Sequence, residues 1–129
     1  FVAEFMGEVN LLEVSGTKKL GLKFSNPDFQ INCNPVEAGF SLDNDATGVL
    51  VVRPEYIRFL TGSKTTDFVL KGVLRAEYAL GSRTQYEIET TSNQIITVEK
   101  LRKDRFIGKK GSKVSLGFDA KSAHIIKDV

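Results

Sequence analysis

Two carboxylates two residues apart, Glu87 and Glu89, one thiol, Cys33, and one imidazole, His124, are the side chains of this 129-residue chain that could in principle do catalytic chemistry. A carboxylate pair on one strand face suits general acid-base work. Here the alternation of Tyr86 and Ile88 with Gln85, Glu87 and Glu89 already accounts for the pair as a solvated face. Cys33 and His124 stand apart from any CxxC or HxxxH partner, so neither reads as a metal ligand or a nucleophile; we read an inert half-buried thiol and a strand-edge histidine. GSKTT, residues 62–66, has the lysine and hydroxyl of a phosphate loop. It has Ser63 where glycine must precede the lysine and Phe59 where the first glycine belongs, and so reads as a polar linker. GKKGSK, residues 108–113, fails the same test and reads as the turn before a strand.

Binding chemistry has one stronger candidate. Lys100, Arg102, Lys103, Arg105, Lys109, Lys110 and Lys113 face only Asp104 within one segment, in a chain whose formal charge is only +2. Such a patch suits phosphates, with Phe106 or Tyr86 as bases' stacking partners. Aromatics do not interleave regularly with the charges, which favours a solvated loop or a face for an acidic protein over nucleic acid.

The elements that must position these groups are strands. Val9 to Val14 reads as a strand, SGTKK as a turn, and Lys18 to Phe24 as the second arm of a hairpin, with Leu20, Leu22 and Phe24 on one face. Asn26 to Gly48 is rich in Asn, Asp, Pro and Gly and reads as a loop-rich connection with a short strand at Phe29 and Ile31. In GVLVVRPEYIRF, residues 48–59, the apolar strand stops at Arg53-Pro54-Glu55. Pro54 cannot donate a ladder bond and suits the first position of a turn, where Glu55 is favoured; Arg53 is left to water or to a carboxylate such as Glu8 or Glu55.

From Phe68 the pattern predicts a three-strand meander. Phe68, Leu70, Leu74, Ala76, Tyr78 and Leu80 read as one face of its first strand, with a bulge or tight bend at Gly72. Gly81 to Arg83 turns the chain into TQYEIETT, and Ser92-Asn93 turns it into QIITVE. A short helical turn within KLRKDRFIG, a strand through Val114, Leu116 and Phe118, and a last strand at His124 to Ile126 complete the chain. The opening FVAEFM reads as an amphipathic turn, with Val2, Phe5 and Met6 at near-helical spacing, stopped by Gly7. Short strands separated by turns predict an all-β fold, a closed or nearly closed antiparallel barrel with short helical turns only.

Length and a hydrophobic fraction of 41% suffice for one core, so residues 1–129 read as a single domain, or as subdomains 1–62 and 63–129 sharing that core. One cysteine excludes an internal disulfide framework and fits a reducing, cytoplasmic compartment. No window approaches the roughly 20 apolar residues that cross a bilayer. The chain starts at Phe1, inside an apolar segment, which we read as a piece of a longer polypeptide.

FVAEFMGEVN, VLVVRPEYIRF and YALGSRTQYEIET, taken in order, resemble the transport-associated OB domain at the C-terminus of ATP-binding subunits of bacterial ABC importers of the polyamine, ferric iron and sugar group. The family positions are Phe5, Gly7 and Asn10 at the entry, Arg53, Pro54 and Glu55 at the corner, Gly81 in a strand-turn-strand and Gly111 before the last long strand. The resemblance implies an OB-like barrel with a regulatory role in a transporter ATPase. It implies as partners the subunit's own upstream ATPase domain, a second copy of the subunit and, through the ATPase, the membrane permease at the inner face of the cell membrane. The chain has no Walker A loop, Walker B carboxylate or LSGGQ-like signature, so ATP and magnesium belong to the upstream domain and this piece needs no cofactor or metal and is not an enzyme. The FMGEVN and VRPEYIRF spellings lean to the polyamine-like or iron-like branch. The oxyanion pattern of molybdate-type relatives is missing, and Asn26 to Gly48 does not align. The alternatives are a stand-alone OB module for single-stranded nucleic acid and a small-molecule sensor with a pocket on the barrel's side.

Overall fold

The computed structural model describes residues 9–18, 21–40 and 42–127. Among the described residues ten strands follow one another: β1 (Asn10–Gly16), β2 (Leu22–Phe24), β3 (Phe29–Ile31), β4 (Thr47–Val52), β5 (Arg58–Leu60), β6 (Phe68–Leu80), β7 (Arg83–Glu89), β8 (Ile95–Leu101), β9 (Lys113–Phe118) and β10 (Ala123–Lys127). Three single 3-10 turns, Pro54–Tyr56, Arg102–Asp104 and Ala120–Ser122, are the helical elements among the described residues. The expected all-β, antiparallel architecture is the one the chain adopts, and the entry residues Phe5 and Gly7, with the amphipathic turn read there, lie outside the described residues.

One sheet has the order β10-β4-β1-β2; the other runs β5-β9-β6-β7-β8, with β3 added to β6. Alternation explains β1: Leu12 and Val14 are buried while Leu11 and Glu13 face out. The β1–β2 hairpin forms as expected, with Gly16 opposite Leu22. In β4 three consecutive residues, Leu50, Val51 and Val52, are buried, which is why that stretch is uninterrupted by polar residues. The chain crosses residues 61–67 in both directions: β10 returns to β4, and β3 reaches forward to β6.

The loop-rich connection contributes more core than its composition suggests. Phe29, Phe40 and Leu42 are buried, and Phe24 and Phe40 lie 5.8 Å and 5.9 Å from Phe68, which itself stacks on Phe118 at 5.0 Å. Asn34 makes this possible. Its Oδ1 accepts the Val36 and Glu37 amides, closing a tight turn that brings Phe40 back to the core.

Strand β6 departs from the expected face assignment. The ladder to β7 shifts between Leu74 and Ala76, so the irregularity is at Arg75 rather than Gly72. One extra residue reverses every later side chain. Phe68, Leu70 and Leu74 are buried as expected, but Tyr78 and Leu80 turn outward. Gly72 has a different purpose: a Cβ there would meet Ile88 Cγ2 at 2.5 Å and the Glu89 carbonyl oxygen at 2.8 Å, so it permits the close approach of β7.

Candidate functional site

The Arg-Pro-Glu corner is built as its residue types require. Pro54 begins the 3-10 turn and is buried, and the turn is closed by the Tyr56 amide to the Arg53 carbonyl at 3.1 Å and the Ile57 amide to the Pro54 carbonyl at 3.3 Å. Ile57 is fully buried beyond it. Arg53 and Glu55 both face solvent and do not pair with each other; of the two readings left open for Arg53, water is the one seen among the described residues, and Glu8 lies outside them. Arg53 is left extended before the turn, φ −77° and ψ 146°, while Glu55 faces the end of β8. There it lines a recess of about 330 Å³ with Arg83, Glu99, Lys100, Leu101 and Asp104.

Lys100 is the electrostatically unusual group in that recess. Burial pushes its ammonium pKa down, the nearby Arg58 charge adds to the effect, and Asp104 opposes it. Arg83 spends its charge on Glu99 at 3.3 Å. Beyond Lys100 the basic segment is largely solvated: Arg102, Lys103, Arg105, Lys109 and Lys110 are exposed and make no ion pair among the described residues. Its aromatic residue is occupied inward. Phe106 stacks on Phe59 at 4.1 Å, its amide donates to the Tyr86 hydroxyl at 2.8 Å, and that hydroxyl donates to the Phe106 carbonyl at 3.0 Å. Neither Phe106 nor the fully buried Tyr86 presents a ring to a nucleobase.

Asn10 closes the second sheet. Its amide bonds the Thr97 backbone of β8, from a position on β1 in the other sheet, and the Pro54–Tyr56 turn lies against the same strand. Gly81 takes φ +71° at the first of two residues between Leu80 and Arg83, the position that favours glycine in a tight hairpin.

A second concavity lies where β6 changes neighbours. Its residues Phe68 to Leu70 pair with β3, and from Val73 onward the same edge pairs with β7. Between them Lys71 and Gly72 border a groove of about 480 Å³. The groove's far wall is a turn held by Asp28, whose Oδ2 accepts both the amide and the hydroxyl of Thr91 at 2.6 Å. Asn26 braces it from beneath, donating to the Thr90 hydroxyl at 3.2 Å. These residues were silent as chemistry in the sequence; the turn spellings SNPD and TTSN were their signal.

The isolated candidates are accounted for by packing. Glu87 accepts the Tyr78 hydroxyl at 2.8 Å and Glu89 pairs with Arg75 at 2.9 Å, so the two carboxylates serve separate partners. Burial and the Asp67 charge push the Cys33 thiol up, away from reactivity. His124 is exposed opposite Val51. GSKTT is a turn into β6, with the buried Thr66 hydroxyl donating to the Phe68 carbonyl at 2.6 Å. No three metal-ligating side chains gather among the described residues, and no helix among them is long and apolar enough to cross a membrane.

A family model for the TOBE domain matches residues 50–126, more than half of the chain. The chain belongs to the TOBE domain family. Arg53, Pro54, Glu55 and Gly81 fall inside the matched residues, and Asn10 precedes them. Among solved structures, a molybdate-bound crystal form of the cytoplasmic molybdate-binding protein ModG is similar to this TOBE domain with a TM-score of 0.69, covering 90% of this chain and 94% of that one. At 13% identity the likeness is one of fold. No curated protein sequence matches the chain. The OB-like reading of the barrel is thus the observed one.

Proposed function

We propose that this TOBE domain is the C-terminal regulatory domain of the ATP-binding subunit of an ABC importer, of the polyamine-like or iron-like branch, and that it contacts a second copy of itself. ATP and magnesium are the business of the upstream ATPase domain, and the permease is reached through that domain. The observation that carries the reading, beside family membership, is one outward face of the β6–β7–β8 meander. Tyr78, Leu80 and Leu101 are each about half exposed there, at 47%, 52% and 46%, with Leu80, Arg83 and Leu101 in one cross-strand row. Arg83, between the two leucines, pairs with Glu99 of the neighbouring row at 3.3 Å, so its charge is met within the face itself.

The face, rather than the edge, is the suitable surface. Beyond Leu74 the edge of β6 opposite β7 has no strand partner among the described residues, yet Glu77 lies on that free edge and a charge there opposes edge-to-edge pairing. A two-fold contact places the same apolar patch on both copies, which makes it self-complementary. Such a contact biases the opening and closing of two attached ATPase domains by as much as its free energy differs between the two states. Reading the parent gene tests the assignment: an upstream phosphate loop, signature sequence and Walker B carboxylate are expected, and a frame without them overturns it.

A further inference from the structure

We propose that the groove at the β6 switch is a binding site for a small organic anion that carries hydroxyl or amino donors. It arises from backbone geometry: β6 leaves β3 after Leu70 and joins β7 at Val73, with the Lys71 amide still bonded to the Asp28 carbonyl at 3.1 Å. The two flanking elements diverge at Lys71–Gly72, and the space between them is not filled. Its volume of about 480 Å³ lies within the range of small-molecule sites.

Charge defines what fits. Lys71 lies opposite Ser115, and Val73 opposite Lys113, so the four residues share one outward face of β6 and β9. Neither lysine makes an ion pair among the described residues, and the Ser115 hydroxyl makes no hydrogen bond among them. Arg75 and Glu89 neutralise each other at 2.9 Å, and Asp28 directs Oδ2 to two Thr91 donors. What remains uncommitted is two ammonium groups and a hydroxyl on one wall, facing carboxylate oxygens on the other. A carboxylate at the lysines and hydroxyl or amino donors toward Glu89 and Asp28 satisfy both walls, while Gly72 and Val73 give a floor without a competing polar side chain. A free polyamine meets the wrong charge at Lys71 and Lys113.

The site is independent of the dimer contact, which lies on the far side of the Arg75 bulge. Gluconate, glycerate and glutamate titrated into amide-labelled protein, followed by NMR, are the test. At least one is expected to give saturable shifts at Lys71, Gly72, Thr91 and Lys113. Lys71→Met with Lys113→Met should weaken that binding about tenfold or more, as loss of charge-assisted bonds requires, and Lys109→Met with Lys110→Met should leave it unchanged. No saturable response to any of the three overturns the proposal. So does binding that survives the first pair of substitutions, or an equal response to inorganic sulfate. Sedimentation of the same variants should not change, so failure here is separable from failure of the dimer reading.

Discussion

The Asn10 amide and the Thr97 backbone form a double hydrogen bond between the two sheets: Asn10 Nδ2 donates to the Thr97 carbonyl at 2.8 Å, and Oδ1 accepts the Thr97 amide at 2.8 Å. One side chain thereby completes a rung that no strand supplies. Asn10→Ala leaves both Thr97 groups without that partner and should cost about 2 kcal/mol or more in urea unfolding. Asn10→Asp retains an acceptor but turns the other oxygen toward a carbonyl, and should cost at least as much. A loss under about 0.5 kcal/mol for both would show that the rung contributes nothing.

Gly72 and Gly81 should fail differently on substitution by alanine. At Gly72 the new Cβ meets Ile88 and the Glu89 backbone, so the strands must separate; overpacking of this kind costs about 1–3 kcal/mol. At Gly81 the space is open and the cost is the positive φ, about 1 kcal/mol. Thermal unfolding of both variants checks the order, and a Gly72→Ala protein as stable as wild type would contradict the close packing of β6 and β7.

Lys100 gives a pH signature. Because burial and Arg58 lower its folded-state pKa, the folded protein binds that proton less tightly than the unfolded chain does. Its charge therefore costs stability at neutral pH, and the cost fades as pH rises through the lowered pKa toward the ordinary lysine range. Lys100→Met should raise the melting temperature at pH 7 and lose that advantage above about pH 10. An advantage that is constant across this range would assign the effect to packing instead.

Tyr86 carries the opposite sign. Burial is the leading cause of its raised pKa, so its protonated form is favoured by folding and its contribution, present at neutral pH, is lost as pH rises past the ordinary tyrosine value of about 10. Tyr86→Phe removes both bonds to Phe106 and should cost about 1–2 kcal/mol at pH 7, with a shallower alkaline decline than wild type. Denaturant titrations at several alkaline pH values check the slope; an unchanged decline would place the linkage elsewhere.

The fold was legible wherever period two ran unbroken. TQYEIET and KVSLGF alternate, and Tyr86, Ile88, Leu116 and Phe118 are fully buried as that alternation requires. Pro54 marked its corner because a missing amide has only one consequence in a strand. Beyond such local rules the reading failed for physical reasons. The extra residue at Arg75 carries no mark in the spelling RAEYAL, so Tyr78 and Leu80 were placed on the wrong face. Phe40 is brought back to the core by the Asn34 turn, and neither it nor the buried Leu42 has a period to reveal it. The groove joins Asp28, Lys71 and Lys113, and the Asn10–Thr97 pair spans 87 positions; such sites exist only once the strands have paired.

The proposed contact joins two copies of the chain through the outward face at Tyr78, Leu80 and Leu101. Sedimentation equilibrium of the full-length protein, with and without Leu80→Arg, measures that contact. The exposed side chain makes the substitution harmless to folding, so the melting temperature should stay the same. The dimer dissociation constant should rise about tenfold or more, since a buried unpaired charge costs several kcal/mol at an interface core. An unchanged dissociation constant, with melting also unchanged, would rule out this face as the contact.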